Sequence, residues 1–244
     1  MNYFFKKTKD LQKFFPIFLF LCLLTLVLND NTFKTSDEIR YLNFSQNLID
    51  GFYAEKDLKP GFLWNGPGYP IVLIPFKYFN SGLIFPKILN SFFLFLGIVF
   101  IYKSSLFYLN KKFSFFISLI AGLSHPQFII SISSVLSESL SFFCLSIALY
   151  FFIKYSIDKI KFNLIISSFF LSYLILTKVF FAYVLVVCFV FSILFFLYSK
   201  NKLNSTNLKI SILSLLFISP YLMYTYSITG KFFFMADSGG SSLY

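Results

Sequence analysis

Charged residues are scarce in this chain of 244 residues, and acidic residues are the scarcest of them. Only 13% of the residues are charged and ten of these are Asp or Glu, whereas 57% are hydrophobic and 39 are Phe. Soluble domains carry about 25% charged residues. Together with a mean hydropathy of +0.76, this composition excludes an ordinary soluble domain and predicts an integral membrane protein.

The residues from which metal sites, disulfides and nucleophiles are built are also few. The single histidine, His125, stands beside Pro126, and we interpret it as a polar residue at a bend rather than a metal ligand. The three cysteines, Cys22, Cys144 and Cys188, all lie within apolar runs and are interpreted as small hydrophobic residues. No Walker loop, GxGxxG, zinc-ligand spacing or internal repeat is present. No cofactor is therefore predicted from a motif.

A series of apolar runs of about 15 to 20 residues is present instead, and this is the length that crosses a bilayer core about 30 Å thick. We predict an all-α, polytopic membrane protein with about seven transmembrane helices in a single domain, 1–244. The segment 71–79 is too short to cross and is predicted to be interfacial or re-entrant. The predicted spans are 14–28, 84–102, 113–130 with a bend near Pro126, 138–153, 162–176, 179–198 and 208–228.

Charge distribution supports this topology, since lysines collect in cytoplasmic loops of membrane proteins. With the N-terminus inside, thirteen lysines fall on the cytoplasmic side and only Asp10 and Asp158 oppose them there. The first span has no small-residue cleavage site after it and is predicted to stay uncleaved. Because the rule accounts for the net charge of +11, we expect membrane lipids rather than nucleic acid as partners. The outward side carries Asp30, Asp37, Glu38, Asp50, Glu55, Asp57, Glu138 and Asp237.

The first outward loop, 29–69, contains a predicted amphipathic helix at 38–52 that can lie on the membrane surface. Ser36 is the predicted N-cap and Gly51 the predicted stop. Asp37 and Glu38 have a plain interpretation as acids in a first helical turn, where they stabilise the helix dipole by about 0.3–1 kcal/mol. Further along, the turn "NGPGYP" and the only tryptophan, Trp64, mark the point where the chain re-enters the membrane.

This combination resembles the membrane-embedded GT-C glycosyltransferases, and most of all the branch with the protein O-mannosyltransferases and the lipid A aminoarabinose transferase. In that family the first outward loop carries an Asp-Glu pair, then spaced Tyr, small, Leu and Gly residues, then a Pro-Gly-Tyr-Pro-like turn. A second likeness is "SSVLSESLSFF", where a Glu opens the fourth span. The matching residues are Asp37, Glu38, Tyr41, Ser45, Leu48, Gly51, the turn 67–70 and Glu138.

The resemblance implies transfer of a sugar from a polyprenyl-phosphate donor to an acceptor hydroxyl, at the outer face of a bacterial cytoplasmic membrane. The acceptor would be a lipid, a glycan or a protein. Such a reaction needs a base for the acceptor proton and positive charge for the departing phosphate. Asp37 matches the base of the family, Glu38 would support it, and Glu138 is a further catalytic candidate. A snorkelling acid at a span end is the other interpretation of Glu138.

For the substrate and its phosphate the candidates are Arg40, Lys59, Tyr69 and Lys178. Lys178 lies where the family often has Arg-Pro, and here Lys-Val keeps the positive charge but not the proline. The alternative for Lys178 is an anchor to lipid headgroups. No dedicated metal cage is present, although a divalent cation that bridges acids and phosphate is compatible with the resemblance.

Two other classes of function stay open at this point. One is a transporter or flippase-like protein, for which acids near the bilayer midplane and two related halves would be expected. The other is a non-catalytic assembly subunit. Family members are longer, so residues 229–244 are expected to begin a further outward loop of a truncated version of the family.

Overall fold

The computed structural model describes residues 14–29, 35–54, 63–124, 126–199, 202–233 and 235–236. Within these ranges the chain forms ten α-helices and no strand, so the prediction of an all-α fold is confirmed there. The helices are α1 Phe15–Val27, α2 Ser36–Ile49, α3 Gly68–Tyr78, α4 Ile84–Ser105, α5 Lys111–Leu123, α6 Pro126–Ser133, α7 Glu138–Asp158, α8 Lys161–Thr177, α9 Phe180–Ser199 and α10 Lys202–Thr229.

Three of these helices are long and apolar enough to cross a membrane, namely α4, α7 and α10. Helices α5 and α6, which meet at 62°, give a fourth, broken span if the bent pair is counted as one. The predicted bend near Pro126 is thereby confirmed. Helices α1 and α8 are apolar but have only 13 and 17 residues, about 20 and 26 Å at 1.5 Å per residue, which is short of a bilayer core about 30 Å thick. Of α9, the segment Phe180–Phe195 counts as a shorter apolar helix. The prediction of seven spans is therefore confirmed only as far as three or four.

Helix α4 is the centre of the bundle and packs against α1, α5, α6 and α7. Small residues permit this approach: a side chain at Gly97 would collide with the ring of Phe142, and one at Gly122 with Ile98. Serines join helices α8 and α10: the Ser172 hydroxyl of α8 donates to the Ser214 carbonyl of α10 at 3.0 Å. Small residues and hydroxyl bonds are how helices associate where lipid removes the hydrophobic driving force.

A short polar turn joins α7 to α8, at the end of the bundle away from the first residue of α7, Glu138. Lys159 adopts a left-handed conformation there, with φ of 56°. Its ammonium donates to the Thr206 hydroxyl at 2.8 Å. Asn163, which is 1% exposed, donates from Nδ2 to the Asp158 carboxylate at 2.7 Å. Because the turn is short, the start of α7 and the end of α8 meet at the other end of the bundle.

Helix α2 forms where the sequence predicted an amphipathic helix, with two corrections. The N-cap is Thr35 and not Ser36, because Thr35 and Glu38 complete a capping box. Gly51 follows the last turn with φ of 87°, which confirms the predicted stop. The predicted apolar face is also divided, since Ile39 is 44% exposed and Phe52 is 41% exposed. The side turned into the protein instead carries Glu38, Tyr41, Phe44 and Ser45.

Candidate functional site

Glu138 and Lys178 form an ion pair at the end of the bundle where α7 begins and α8 ends. Glu138 is the first residue of α7 and Lys178 caps the C-terminus of α8. The Lys178 ammonium lies 2.9 Å from Oε1 of Glu138, and their side chains are 34% and 26% exposed. The other oxygen, Oε2 of Glu138, is buried with no hydrogen-bond partner among the described residues.

Tyr41 of α2 reaches the same place from the first loop. Its hydroxyl lies 2.9 Å from the hydroxyl of Ser137, the residue before Glu138. Burial raises the pKa of Tyr41, and the nearby charge of Lys178 offsets only part of that rise. Tyr41 is therefore a neutral hydrogen-bonding group at physiological pH. The contact joins α2 to the start of α7.

Lys178 interacts with α2 as well as with α7. Burial lowers the pKa of its ammonium, but its interactions with Tyr41, Glu138 and Asp37 outweigh burial and raise the pKa overall. Lys178 is therefore a permanent cation at neutral pH. Asp37 stands one helical turn before Tyr41 on α2, so it is at the end of the helix from which Tyr41 reaches the start of α7.

Asp37 itself is the accessible acid of the site. Its side chain is 46% exposed, and Oδ1 accepts a hydrogen bond from Arg40 at 3.1 Å. The Arg40 guanidinium lies over the ring of Trp64, 4.7 Å from its centroid. Stacking of this kind holds a guanidinium in place. Arg40 is thus positioned by Asp37 and Trp64, and both it and Asp37 remain about half open to the surroundings.

Glu38 has a different role from Asp37, because the side chain of Glu38 is buried. Oε2 accepts the backbone N–H of Thr35 at 3.1 Å, which closes the capping box. Oε1 accepts the N–H of Val135 at 2.6 Å, which ties α2 to the loop between α6 and α7. Glu38 therefore anchors the helix that carries Asp37, and this position suits the supporting role predicted for it.

The Glu38→Gln variant is expected to lower the free energy of unfolding by about 1.5–3 kcal/mol, the range for hydrogen bonds to a charged group. The amide keeps one acceptor oxygen but turns an NH2 group toward one of the two backbone donors. Thermal or denaturant unfolding in detergent measures the loss. Asp50→Asn is the matched control, since Asp50 ends the same helix and its exposed carboxylate only accepts from Gln46 at 3.0 Å. Equal stability of both variants would contradict the anchoring role.

Tyr69, predicted as a binding residue, is buried in the helix packing. It is 1% exposed, and its ring meets that of Tyr41 edge to face with centroids 5.0 Å apart. Its hydroxyl donates to Oδ1 of Asn90 at 3.1 Å. The physical reason is that Gly68 and Pro70 start α3 directly at the turn, so the tyrosine between them points into the helix packing.

The glycine turn brings α3 against the end of α8. A side chain at Gly66 would overlap the Leu176 carbonyl, and one at Gly68 would lie 2.7 Å from the backbone nitrogen of Thr177. The Gly68 carbonyl also accepts a hydrogen bond from the Tyr173 hydroxyl at 2.8 Å. The sequence predicted a tight turn here. Only the structure shows that this turn packs against the segment of α8 that leads into Lys178.

Two sequence predictions fall on residues 55–62 and 125. Lys59, a predicted phosphate ligand, and His125 lie outside the described residues. Within the described ranges no group of three or more His, Cys, Asp or Glu side chains could hold a metal ion. The two acids at the site, Asp37 and Glu138, are each engaged by a cation. The described residues therefore do not fit a preformed metal site.

Sequence reasoning missed Asn90 and Ser137. A signal for Asn90 existed, since an amide inside the apolar run "PKILNSFFLFLGIVF" is costly unless its polar atoms are satisfied. Ser137 is one of six serines in 131–141, and nothing in the sequence distinguishes it from the others. Comparisons of the chain with protein-family models, with curated proteins and with solved structures give no match.

Proposed function

We propose that this protein is a membrane-embedded glycosyltransferase that moves a sugar from a polyprenyl-phosphate donor to an acceptor hydroxyl. The observation that carries the proposal is that an accessible acid, Asp37, lies one helical turn from Tyr41, whose hydroxyl contacts the residue before the Glu138–Lys178 ion pair. An acid that takes a proton and a cation that receives a phosphate are the two groups that this reaction requires.

In the proposed reaction the acceptor oxygen attacks the anomeric carbon and the bond from that carbon to the phosphate oxygen breaks. Asp37 takes the acceptor proton, and the phosphate leaves with the electron pair of the broken bond. The charge that develops on the phosphate is stabilised by the Lys178 ammonium, with Arg40 as the second cation of the site. The Glu138 carboxylate, with Oε1 2.9 Å from the ammonium, holds Lys178 in place for this role.

The proposed setting is the outer face of a bacterial cytoplasmic membrane with the N-terminus inside. In this topology α1, α8 and α9 cross together with the longer spans, which gives seven crossings. Asp37, Glu138 and Lys178 then share the outward side, where the lysine-rich ends of α4, α5, α7 and α8 do not lie. The donor would enter from the lipid with its polyprenyl chain still in the bilayer.

The test uses membranes that contain the full chain and a polyprenyl-phosphate sugar labelled in the sugar. We expect transfer above that of membranes without the chain, and a loss of about 100-fold in Lys178→Met, as for removal of one charge-stabilising donor. Lys112→Met is the control, because Lys112 is an exposed residue at the start of α5, at the opposite end of the bundle. Its rate should equal that of the native chain.

The two negative outcomes have different meanings. No transfer by the native chain, across donors with several sugars, would overturn the proposed function. Transfer by the native chain that Lys178→Met leaves unchanged would remove Lys178 from the phosphate site while the function stands.

A further inference from the structure

One amide, that of Asn90 in α4, holds the loop that leads into the candidate site. Its Nδ2 lies 2.9 Å from the carbonyl oxygen of Ser131, 3.1 Å from that of Ser134 and 3.0 Å from that of Leu136. Asn90 is fully buried. Its own oxygen accepts the Tyr69 hydroxyl, which fixes the amide with its NH2 group toward the three carbonyls.

The loop between α6 and α7 consists of four residues, and each of them has a polar link to another element. Asn90 holds the carbonyls of Ser134 and Leu136. From α2, Glu38 accepts the N–H of Val135 and Tyr41 contacts the Ser137 hydroxyl. The loop is therefore held between α4 and α2, and it ends directly at Glu138.

We propose that Asn90 is a positioning residue that sets the placement of Glu138, and through it of Lys178. A buried amide in an apolar helix is costly unless every polar atom is satisfied. Here the requirement is met because the loop carbonyls lie within hydrogen-bond distance of Nδ2. The consequence for turnover rests on the proposed glycosyltransferase function, whereas the consequence for the loop does not.

An introduced pair of cysteines can report the loop conformation in an assay that does not depend on enzymatic activity. The hydroxyls of Ser131 and Ser139, on either side of the loop, lie 2.5 Å apart, close enough for a disulfide after Ser131→Cys and Ser139→Cys. Mild oxidation of membranes followed by peptide mass spectrometry gives the rate of disulfide formation. We expect Asn90→Leu to slow it about tenfold, the equivalent of one net hydrogen bond.

Asn163→Leu is the matched control. Asn163 is also a buried asparagine of an apolar helix, but its amide holds Asp158 at the opposite end of the bundle. It should lose stability in a similar way and keep the native rate of disulfide formation. Tyr69→Phe is the milder variant, which removes only the hydroxyl that orients Asn90, and we expect a smaller slowing in the same direction. It decides the question if Asn90→Leu does not fold.

Equal disulfide rates in the native, Asn90→Leu and Tyr69→Phe backgrounds would overturn the proposal. So would an equal slowing by Asn163→Leu, because the effect would then follow stability alone. In the transfer assay, Asn90→Leu should lower kcat about tenfold and leave the donor KM within about twofold. If the native chain transfers no sugar, the proposed function fails, and the disulfide rates still decide the role of Asn90.

Discussion

Asp37→Asn is expected to lower sugar transfer by about 10²–10⁴-fold, the range that a general base contributes. The substitution keeps the shape of the side chain and an oxygen that can accept from Arg40, so the ion pair becomes a neutral hydrogen bond while the helix stays capped by Thr35 and Glu38. What it removes is the ability to take the acceptor proton. The initial rate of transfer from the labelled donor in membranes measures the loss.

The control for Asp37→Asn is Asp50→Asn on the same helix. Both replace a partly or fully exposed carboxylate with an amide, but Asp50 lies at the far end of α2 and bonds to Gln46. We expect native transfer from Asp50→Asn. Native transfer from Asp37→Asn, with the same amount of protein in the membrane, would exclude Asp37 as the base. Loss in both variants would point to the charge of the helix and not to proton transfer.

The positions of single elements could be predicted where local chemistry decides them. Gly51 was a predicted stop because a left-handed residue after a helix favours glycine, and its φ of 87° agrees. The bend near Pro126 follows from the missing N–H of proline. The Thr35 cap could also have been found, since Thr35 and Glu38 have the spacing of a capping box. Ser36 was the wrong choice because Glu38 is not three residues after it.

The contacts that build the site could not be predicted, because they join residues far apart in the chain. Glu38 meets Val135, 97 residues later, and Tyr41 meets Ser137, 96 residues later. Hydrophobic periodicity shows that a face is apolar but not which element covers it. The pattern therefore predicted a lipid-facing surface for α2, whereas the burial of Glu38 against a backbone N–H shows that protein covers part of this helix.

The prediction of seven spans was confirmed only in part, because the sequence of one helix does not show how it is supported by its surroundings. Composition shows that the helices are apolar, but the length of each helix decides whether it can span the bilayer core. Helix α1 has 13 residues and α8 has 17, while α4 has 22. Short helices can reach across only where the bilayer thins locally or where the helices associate with others, and neither condition can be inferred from the sequence of the helix itself.

Gly68→Ala is expected to cost about 1–3 kcal/mol of stability, as when an extra methyl group enters a filled site. The added Cβ would lie 2.7 Å from the backbone nitrogen of Thr177. A side chain can rotate away, but a backbone nitrogen moves only if the end of α8 moves. Because Lys178 is the next residue, the same shift would displace the ammonium from Glu138 and lower transfer as well. Unfolding in detergent and the transfer rate measure the two effects.

Gly82→Ala is the control, since nothing lies within 4 Å of the position of its Cβ, and a change within about 0.5 kcal/mol is expected for an open surface site. A second substitution identifies the atom responsible. The Thr177 hydroxyl also faces Gly68, so Thr177→Ala added to Gly68→Ala removes that contact and leaves the one with the backbone. We expect no recovery of stability or transfer from the pair. Full recovery would show that α8 tolerates the extra methyl group and that the glycine turn does not set the position of Lys178.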